Sequence, residues 1–213
     1  MKKLVVYGAA HAYGLKVIEA ANRAEPTWQV LGFLDDTPEL QGTTRWGLPV
    51  LGGRDFIAEL TRDPEVEFYT NVRGHWSHLM QVTELLDRHG CRHATVVDPH
   101  VDMNLVEIGR GCYISIGTLI SADVRIGDFV SLFPNCMIGH DVLIESYASV
   151  SQMASIGSYC VLKARSFCGA GCVVLPERTV GRESVVGAGA VVTRDVPDGV
   201  RVFGPPAQPE GSG

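Results

Sequence analysis

The 213-residue sequence has no apolar run near the roughly 18 residues a membrane-spanning helix needs, no surplus of positive charge, no CxxC pair and no G-x-G-x-x-G run. The first absence argues against helical insertion in a membrane. Lys and Arg number 18 against 24 Asp and Glu, a net charge of −6, which argues against nucleic acid or an anionic bilayer as the main partner. The six cysteines, from Cys91 to Cys172, show no paired Cys/His spacing, so no metal or redox site is expected. Without the glycine fingerprint there is no ground for NAD. The start "MKKLVVYGAAHAYG" is basic and rich in small residues, as a secretory leader is, but its apolar core ends after about five residues at Gly8. It reads as a buried first strand, and the protein is expected in the cytoplasm.

What is present is a repeat of six. Stepping by six from Ile108 gives Ile114, Ile120, Ile126, Leu132, Ile138, Ile144, Val150, Ile156, Leu162, Cys168, Val174, Val180, Val186 and Val192, so fourteen of fifteen positions are Ile, Leu or Val. Two residues before most of them stands a second small or β-branched residue, and positions two apart on a strand share a face. The residue after each is Gly seven times and Ser three times, as tight turns prefer. Three hexads make an 18-residue triangular coil, and five such coils stack to roughly 24 Å. The pattern specifies a parallel β-helix. Cys112, Cys136, Cys160 and Cys172 fall at the small inward position and Cys168 at the aliphatic one, so buried unpaired thiols are expected.

Residues 1–98 lack the hexad. "KLVVYG" reads as a strand, Gly14 to Arg23 as a helix, and "WQVLGFLDD", "LPVLGG" and "EFYTNV" as further strands. "RDFIAEL" and "SHLMQVTELLDRHG" have helical periodicity, the latter stopped by Gly90. Alternating strands and helices predict a small parallel α/β domain, with the β-helix over 99–195 and a tail over 196–213 whose closing "PEGSG" is expected to be flexible. Ligands in such α/β domains bind beyond the carboxyl ends of the strands. Those ends carry "GAAHAYG", including Gly8 and His11, and the pair Asp35 and Asp36. Backbone amides of the first loop suit a phosphate and a carboxylate suits a ribose hydroxyl, while an ordinary strand–helix turn with a solvated acidic pair is the competing reading.

The residues between the two inward positions point outward, in three sets. One is Glu107, Arg125, Leu143, Val161 and Thr179; a second is Tyr113, Ser131, Ser149, Phe167 and Val185; the third is Leu119, Met137, Ser155, Val173 and Val191. The third is the most apolar, and an exposed apolar stripe marks an interface. His140 lies two residues past Ile138, in the turn that leaves this face, and is the only histidine in the coils.

The hexapeptide repeat, the "GHD" at a coil corner and the near-terminal "GAGAVVTRDVPDGVRVFGPPA" resemble left-handed β-helix acyltransferases. With the added α/β domain and "GFLDD", the chain is similar to the group of sialic-acid O-acetyltransferases and nucleotide-amino-sugar N-acetyltransferases of the bacillosamine and perosamine type. That resemblance implies a left-handed helix, a Rossmann-like N-terminal domain that grips a nucleotide-linked sugar, and a homotrimer with active sites in clefts between β-helices. It also implies acetyl-CoA as co-substrate along the coils. It assigns His140 as base, Asp141 as its acidic partner, the Ser158 amide as oxyanion donor, and Ala170 and Ala188 as lining of the CoA channel. The sequence departs from the group's pattern at "GAAHAYG", where His11 stands in an altered loop, at "TNVRGHWSHLM", and at Gln208, where a basic residue is common.

The chemistry agrees with the assignment. A histidine titrating near neutrality takes a proton from an attacking amine or hydroxyl, and a neighbouring carboxylate orients the ring and favours the imidazolium. N-acetyl transfer to an amino sugar leads, O-acetyl transfer to a sugar hydroxyl is the alternative on the same fold, and a non-catalytic scaffold is the third reading. A zinc-dependent β-helix enzyme needs several converging histidines, and the coils hold one.

Overall fold

In a computed structural model, which describes residues 1–72, 76–205 and the backbone of 208–209, the chain divides into two compact units, Met1–Val96 and Val97–Gly213. Residues 73–75 of "TNVRGHWSHLM", the side chain of Gln208 and residues 210–213 of the "PEGSG" end lie outside the described residues.

The first unit is a six-stranded sheet with helices along its sequence: β1 (Lys2–Tyr7), α1 (Tyr13–Ala24), β2 (Trp28–Leu34), β3 (Thr44–Arg45), β4 (Leu48–Gly52), α2 (Ile57–Leu60), β5 (Val66–Thr70), α3 (Trp76–Arg88) and β6 (Arg92–His93). The strand order is β3-β4-β2-β1-β5-β6. All neighbours run parallel except the hairpin β3–β4. β1 lies at the centre, so Leu4, Val5 and Val6 are fully buried and read as a continuous apolar run, as a strand covered on both faces should. Its carboxyl end is tied to both neighbours, Gly8 N–H donating to Leu34 O at 2.7 Å and Asn71 N–H to Tyr7 O at 2.8 Å. The chain passes from β1 to one side of the sheet and returns on the other at β5, a topological switch point of the kind where ligands bind.

The second unit stacks parallel two- and three-residue strands into three sheets, consistent with a left-handed β-helix. The register advances 18 residues per coil, as in Leu119↔Met137↔Ser155↔Val173↔Val191. Inward Ile114, Leu132, Ile138, Ile144 and Leu162 are essentially inaccessible and build one continuous core. All six cysteines are free and buried, and Cys168 and Cys172 meet across one corner. Arg201–Phe203 adds a strand to Val185–Val186, and Val196 bridges Val180.

The corners carry a conformational cost. Eleven non-glycine corner residues, Asp141 and Tyr159 among them, have left-handed backbones with φ between 55° and 63°. Each such residue costs roughly 1–2 kcal/mol, offset where its amide bonds to the coil below: Asp141 N–H donates to Ala122 O at 3.1 Å and Tyr159 N–H to His140 O at 3.0 Å.

The outward sets come out unevenly. The third face is exposed, with Leu119 65% and Met137 49% accessible. On the second, Tyr113 and Ser131 are buried; the Tyr113 ring lies 5.8 Å from that of Phe133 and its hydroxyl 3.1 Å from Ser115 Oγ.

Candidate active site

His140 stands on the corner between the third-face strand Met137–Ile138 and the first-face strand Leu143–Ile144. Gly139 before it is required by contact, since a Cβ there would lie 2.6 Å from Ser158 N and 2.8 Å from Ser158 Oγ of the next coil. Asp141 after it accepts the left-handed turn, φ 56°, which short acidic side chains tolerate. Its carboxylate Oδ2 then reaches back to His140 Nδ1 at 2.8 Å. Tyr159, one coil on, sets its ring edge-to-face with the imidazole, centroids 5.0 Å apart at 86°.

These contacts fix the imidazole. With Nδ1–H donated to the carboxylate, Nε2 carries the lone pair, and among the described residues it has no partner. The side chains are half-exposed, His140 48% and Asp141 45%, so a substrate can reach the ring. The Ser158 amide likewise finds no acceptor among the described residues. A proton acceptor and a free backbone donor on one edge of the helix, a coil apart, suit attack on a carbonyl: one takes the nucleophile's proton and the other meets the developing oxyanion.

Ala170 and Ala188 lie elsewhere in the same chain. They follow the second-face strands Phe167–Cys168 and Val185–Val186, on the corner that enters the third face, whereas His140 is on the corner that leaves it. The exposed apolar face therefore separates the two groups within one chain.

In the N-terminal unit Asp35 is nearly buried, and its two oxygens accept the amides of Ala9 at 2.7 Å and Thr37 at 2.9 Å. It shapes the first loop. Asp36 accepts the Tyr7 hydroxyl at 2.6 Å and Arg54 Nη2–H at 2.7 Å through Oδ2, and the Arg54 amide at 2.8 Å through Oδ1. Burial opposes its ionisation, but the bonds from Arg54 and Tyr7 outweigh that and hold the carboxyl below its usual range. Burial first, then the bond to Asp36, raises the Tyr7 phenol. Gly8 has φ 107°, and His11 is exposed beside Tyr13, ring centroids 6.1 Å apart.

Sequence reasoning missed Asn71. This buried side chain accepts Gly14 N–H at 3.2 Å and donates to Gly8 O at 3.1 Å and His11 O at 2.6 Å. It closes the loop and supplies the cap that Ala12 lacks at the start of α1. Gly14 permits this approach, because a Cβ there would fall 2.1 Å from the Tyr69 ring. The available signal was its place at the carboxyl end of β5, beside the switch point.

No protein-family model matches the chain. Galactoside O-acetyltransferase from Lactococcus lactis subsp. lactis (strain IL1403) is 28% identical over 167 residues, 65% of this chain and 80% of that protein. PerB from Caulobacter crescentus, solved in complex with CoA and GDP-perosamine, matches with a TM-score of 0.78 at 26% identity, covering 99% of this chain and 98% of that one. GDP-perosamine N-acetyltransferase from Escherichia coli O157:H7 is 30% identical over 215 residues, 95% of this chain and 94% of the relative. With both units of the chain inside that last match, and with the repeat and the corner histidine in place, the chain belongs to the hexapeptide-repeat acetyltransferases.

Proposed function

We propose that this chain transfers the acetyl group of acetyl-CoA to the amine of a nucleotide-linked amino sugar, with His140 as general base. The observation that carries the reading is the His140–Asp141 pair, Nδ1 held at 2.8 Å and Nε2 open, one coil from an uncapped Ser158 amide. The neutral amine attacks the thioester carbonyl directly and its proton passes to Nε2. The oxyanion accepts the Ser158 N–H, and the departing thiolate recovers the proton from the imidazolium, which Asp141 stabilises meanwhile.

Ala170 and Ala188 line the CoA channel in this reading. They stand on the opposite edge of the apolar face from His140, and a neighbouring copy seated on that face supplies the missing edge. This supports a homotrimer with sites between β-helices. The N-terminal unit is read as a Rossmann-like domain over residues 1–98, holding the nucleotide at the loop of Gly8 and His11 and at Asp35 and Asp36, ahead of the β-helix at 99–195 and the tail at 196–213. Because Asp35 and Asp36 already accept amides, a phenol and a guanidinium, their part is to shape that site and set its charge. No described helix is long and apolar enough to cross a membrane, and the cytoplasm, where acetyl-CoA is made and used, is the proposed location.

The nucleotide sugar and CoA bound by PerB support the amine acceptor, whereas the galactoside relative supports the second reading, O-acetyl transfer to a sugar hydroxyl. Thiol release from acetyl-CoA with GDP- and UDP-linked 3- and 4-amino sugars, run beside their hydroxyl counterparts, separates them. Turnover that needs the amine is expected; turnover only with hydroxyl acceptors replaces this reading with the second, and none with any acceptor leaves a scaffold.

A further inference from the structure

Each coil turns three corners, and at each the residue two past the inward aliphatic stacks on its counterpart one coil on. On the corner leaving the first face these residues are Arg110, Asp128, Ser146, Ala164 and Arg182, and four of the five amides are capped by side chains. Arg110 donates to Asp128 Oδ1 at 3.0 Å, Asp128 to Ser146 Oγ at 3.1 Å, Ala164 to Glu145 Oε2 at 2.8 Å and Arg182 to Asp198 Oδ1 at 2.8 Å. On the His140 corner the same column reads Ala122, His140, Ser158, Pro176 and Arg194; Pro176 has no N–H, and none of the other four amides has an acceptor among the described residues.

The backbones of the two columns stack alike. A Cβ on Gly109 or Gly127 would lie 2.9 Å from Asp128 N or 2.8 Å from Ser146 N, and one on Gly157 would lie 2.5 Å from Pro176 N. Position 176 therefore sits over Ser158 as Asp128 sits over Arg110. Asp128 offers a carboxylate from that seat and caps the amide beneath it. Pro176 offers only ring carbons.

We propose that Pro176 is a positioning residue that fills the capping seat above Ser158 with a side chain unable to accept a hydrogen bond, and so keeps the Ser158 amide for the oxyanion. This rests on the reading of Ser158 as oxyanion donor. In the step concerned the nucleophile bonds to the thioester carbon and its proton goes to His140 Nε2, while the C=O π pair moves onto oxygen, where the Ser158 N–H meets it. The C–S bond then breaks and the thiolate takes the proton from the imidazolium. An acceptor at position 176 competes with that oxygen throughout.

The test compares Pro176→Asn, a neutral acceptor, and Pro176→Asp, a charged one, with Pro176→Ala, which has none. Thiol release from acetyl-CoA is followed with GDP-perosamine and, at its slow rate, with water, because both reactions form the same oxyanion. Loss of one oxyanion donor costs on the order of 10²–10³ in kcat, so a competing cap is expected to hold kcat of Pro176→Asn and Pro176→Asp at least ~10-fold below Pro176→Ala, with KM for acetyl-CoA within about twofold, as for an interaction made in the transition state. The Ser158 amide proton, observed by NMR in the unliganded protein, is expected to move downfield and exchange more slowly in the Asn variant. An amide that stays uncapped in that variant, or one that is capped while kcat equals that of Pro176→Ala, overturns the role of Pro176. A wild-type Ser158 resonance that ignores acetyl-CoA overturns the oxyanion assignment beneath it, and is told apart by being independent of residue 176.

Discussion

Replacing Gly139 by alanine strikes the candidate site through packing alone. The added Cβ would lie 2.6 Å from Ser158 N, 2.8 Å from Ser158 Oγ and 2.9 Å from Gly157 C. Two of these atoms are backbone and cannot rotate away, so the corner has to open by nearly ~1 Å to reach ordinary contact. Overpacking of this kind costs about 1–3 kcal/mol, a fall in Tm of roughly 2–4 °C per kcal/mol for a chain of this size. The displaced atoms are the base's own corner and the proposed oxyanion donor, and misplacement by ~1 Å costs on the order of 10²-fold in rate. Gly127→Ala is the matched control, since its Cβ meets Ser146 N at 2.8 Å and Ser146 Oγ at 2.9 Å on the corner without the histidine. Thermal unfolding and thiol release are measured on both. Similar losses of Tm with an activity loss at least ~10-fold larger for Gly139→Ala are expected. Equal losses of activity at equal losses of Tm would refute the assignment of chemistry to the His140 corner.

Asp141→Asn keeps an acceptor for Nδ1–H and removes the charge that stabilises the imidazolium. Because the pair is half-exposed, kcat is expected to fall about 10- to 100-fold, well short of the ~10⁴ seen for a buried triad carboxylate, and an unchanged kcat would remove Asp141 from the mechanism. Burial pushes the Cys112 thiol up to about 12 and those of Cys91 and Cys136 up to about 11. Together with the burial of all six, this predicts no reaction with an aromatic disulfide reagent at pH 8 in the native state and six thiols after denaturation; rapid native labelling would contradict the closed core. Leu119→Lys with Met137→Lys, on the exposed apolar face, is expected to yield a monomer by light scattering while leaving the far-UV spectrum intact, and a wild-type protein that is itself monomeric at micromolar concentration would overturn the trimer.

The β-helix was legible because one period governs it. Every inward aliphatic of the hexad repeats at a spacing the coil geometry demands, so local pattern and global fold agree. His140 stood out for the same reason, as the lone histidine of the coils beside an acidic residue at a corner. The α/β unit was legible in its longer strands and helices but not in β3 or β6, each two residues long, too short to show an alternation. The start of α1 carries no capping residue because its cap, Asn71, comes from 57 positions away. Such tertiary contacts leave no local mark. Tyr113 keeps its register between inward Cys112 and Ile114 yet is buried, beside Phe133 and Ser115, contacts that its place in the hexad does not show. The meaning of Pro176 is visible only when the corners leaving the first and third faces are compared in space.

The most direct test of the account is the rate of acetyl transfer from acetyl-CoA to GDP-perosamine by the wild-type protein and by His140→Ala, with acetyl-CoA affinity measured on both by calorimetry. A general base contributes on the order of 10²–10⁴, so turnover is expected to fall by that factor while acetyl-CoA binding is retained. A variant that binds acetyl-CoA and transfers acetyl at the wild-type rate would contradict the central claim that His140 takes the proton.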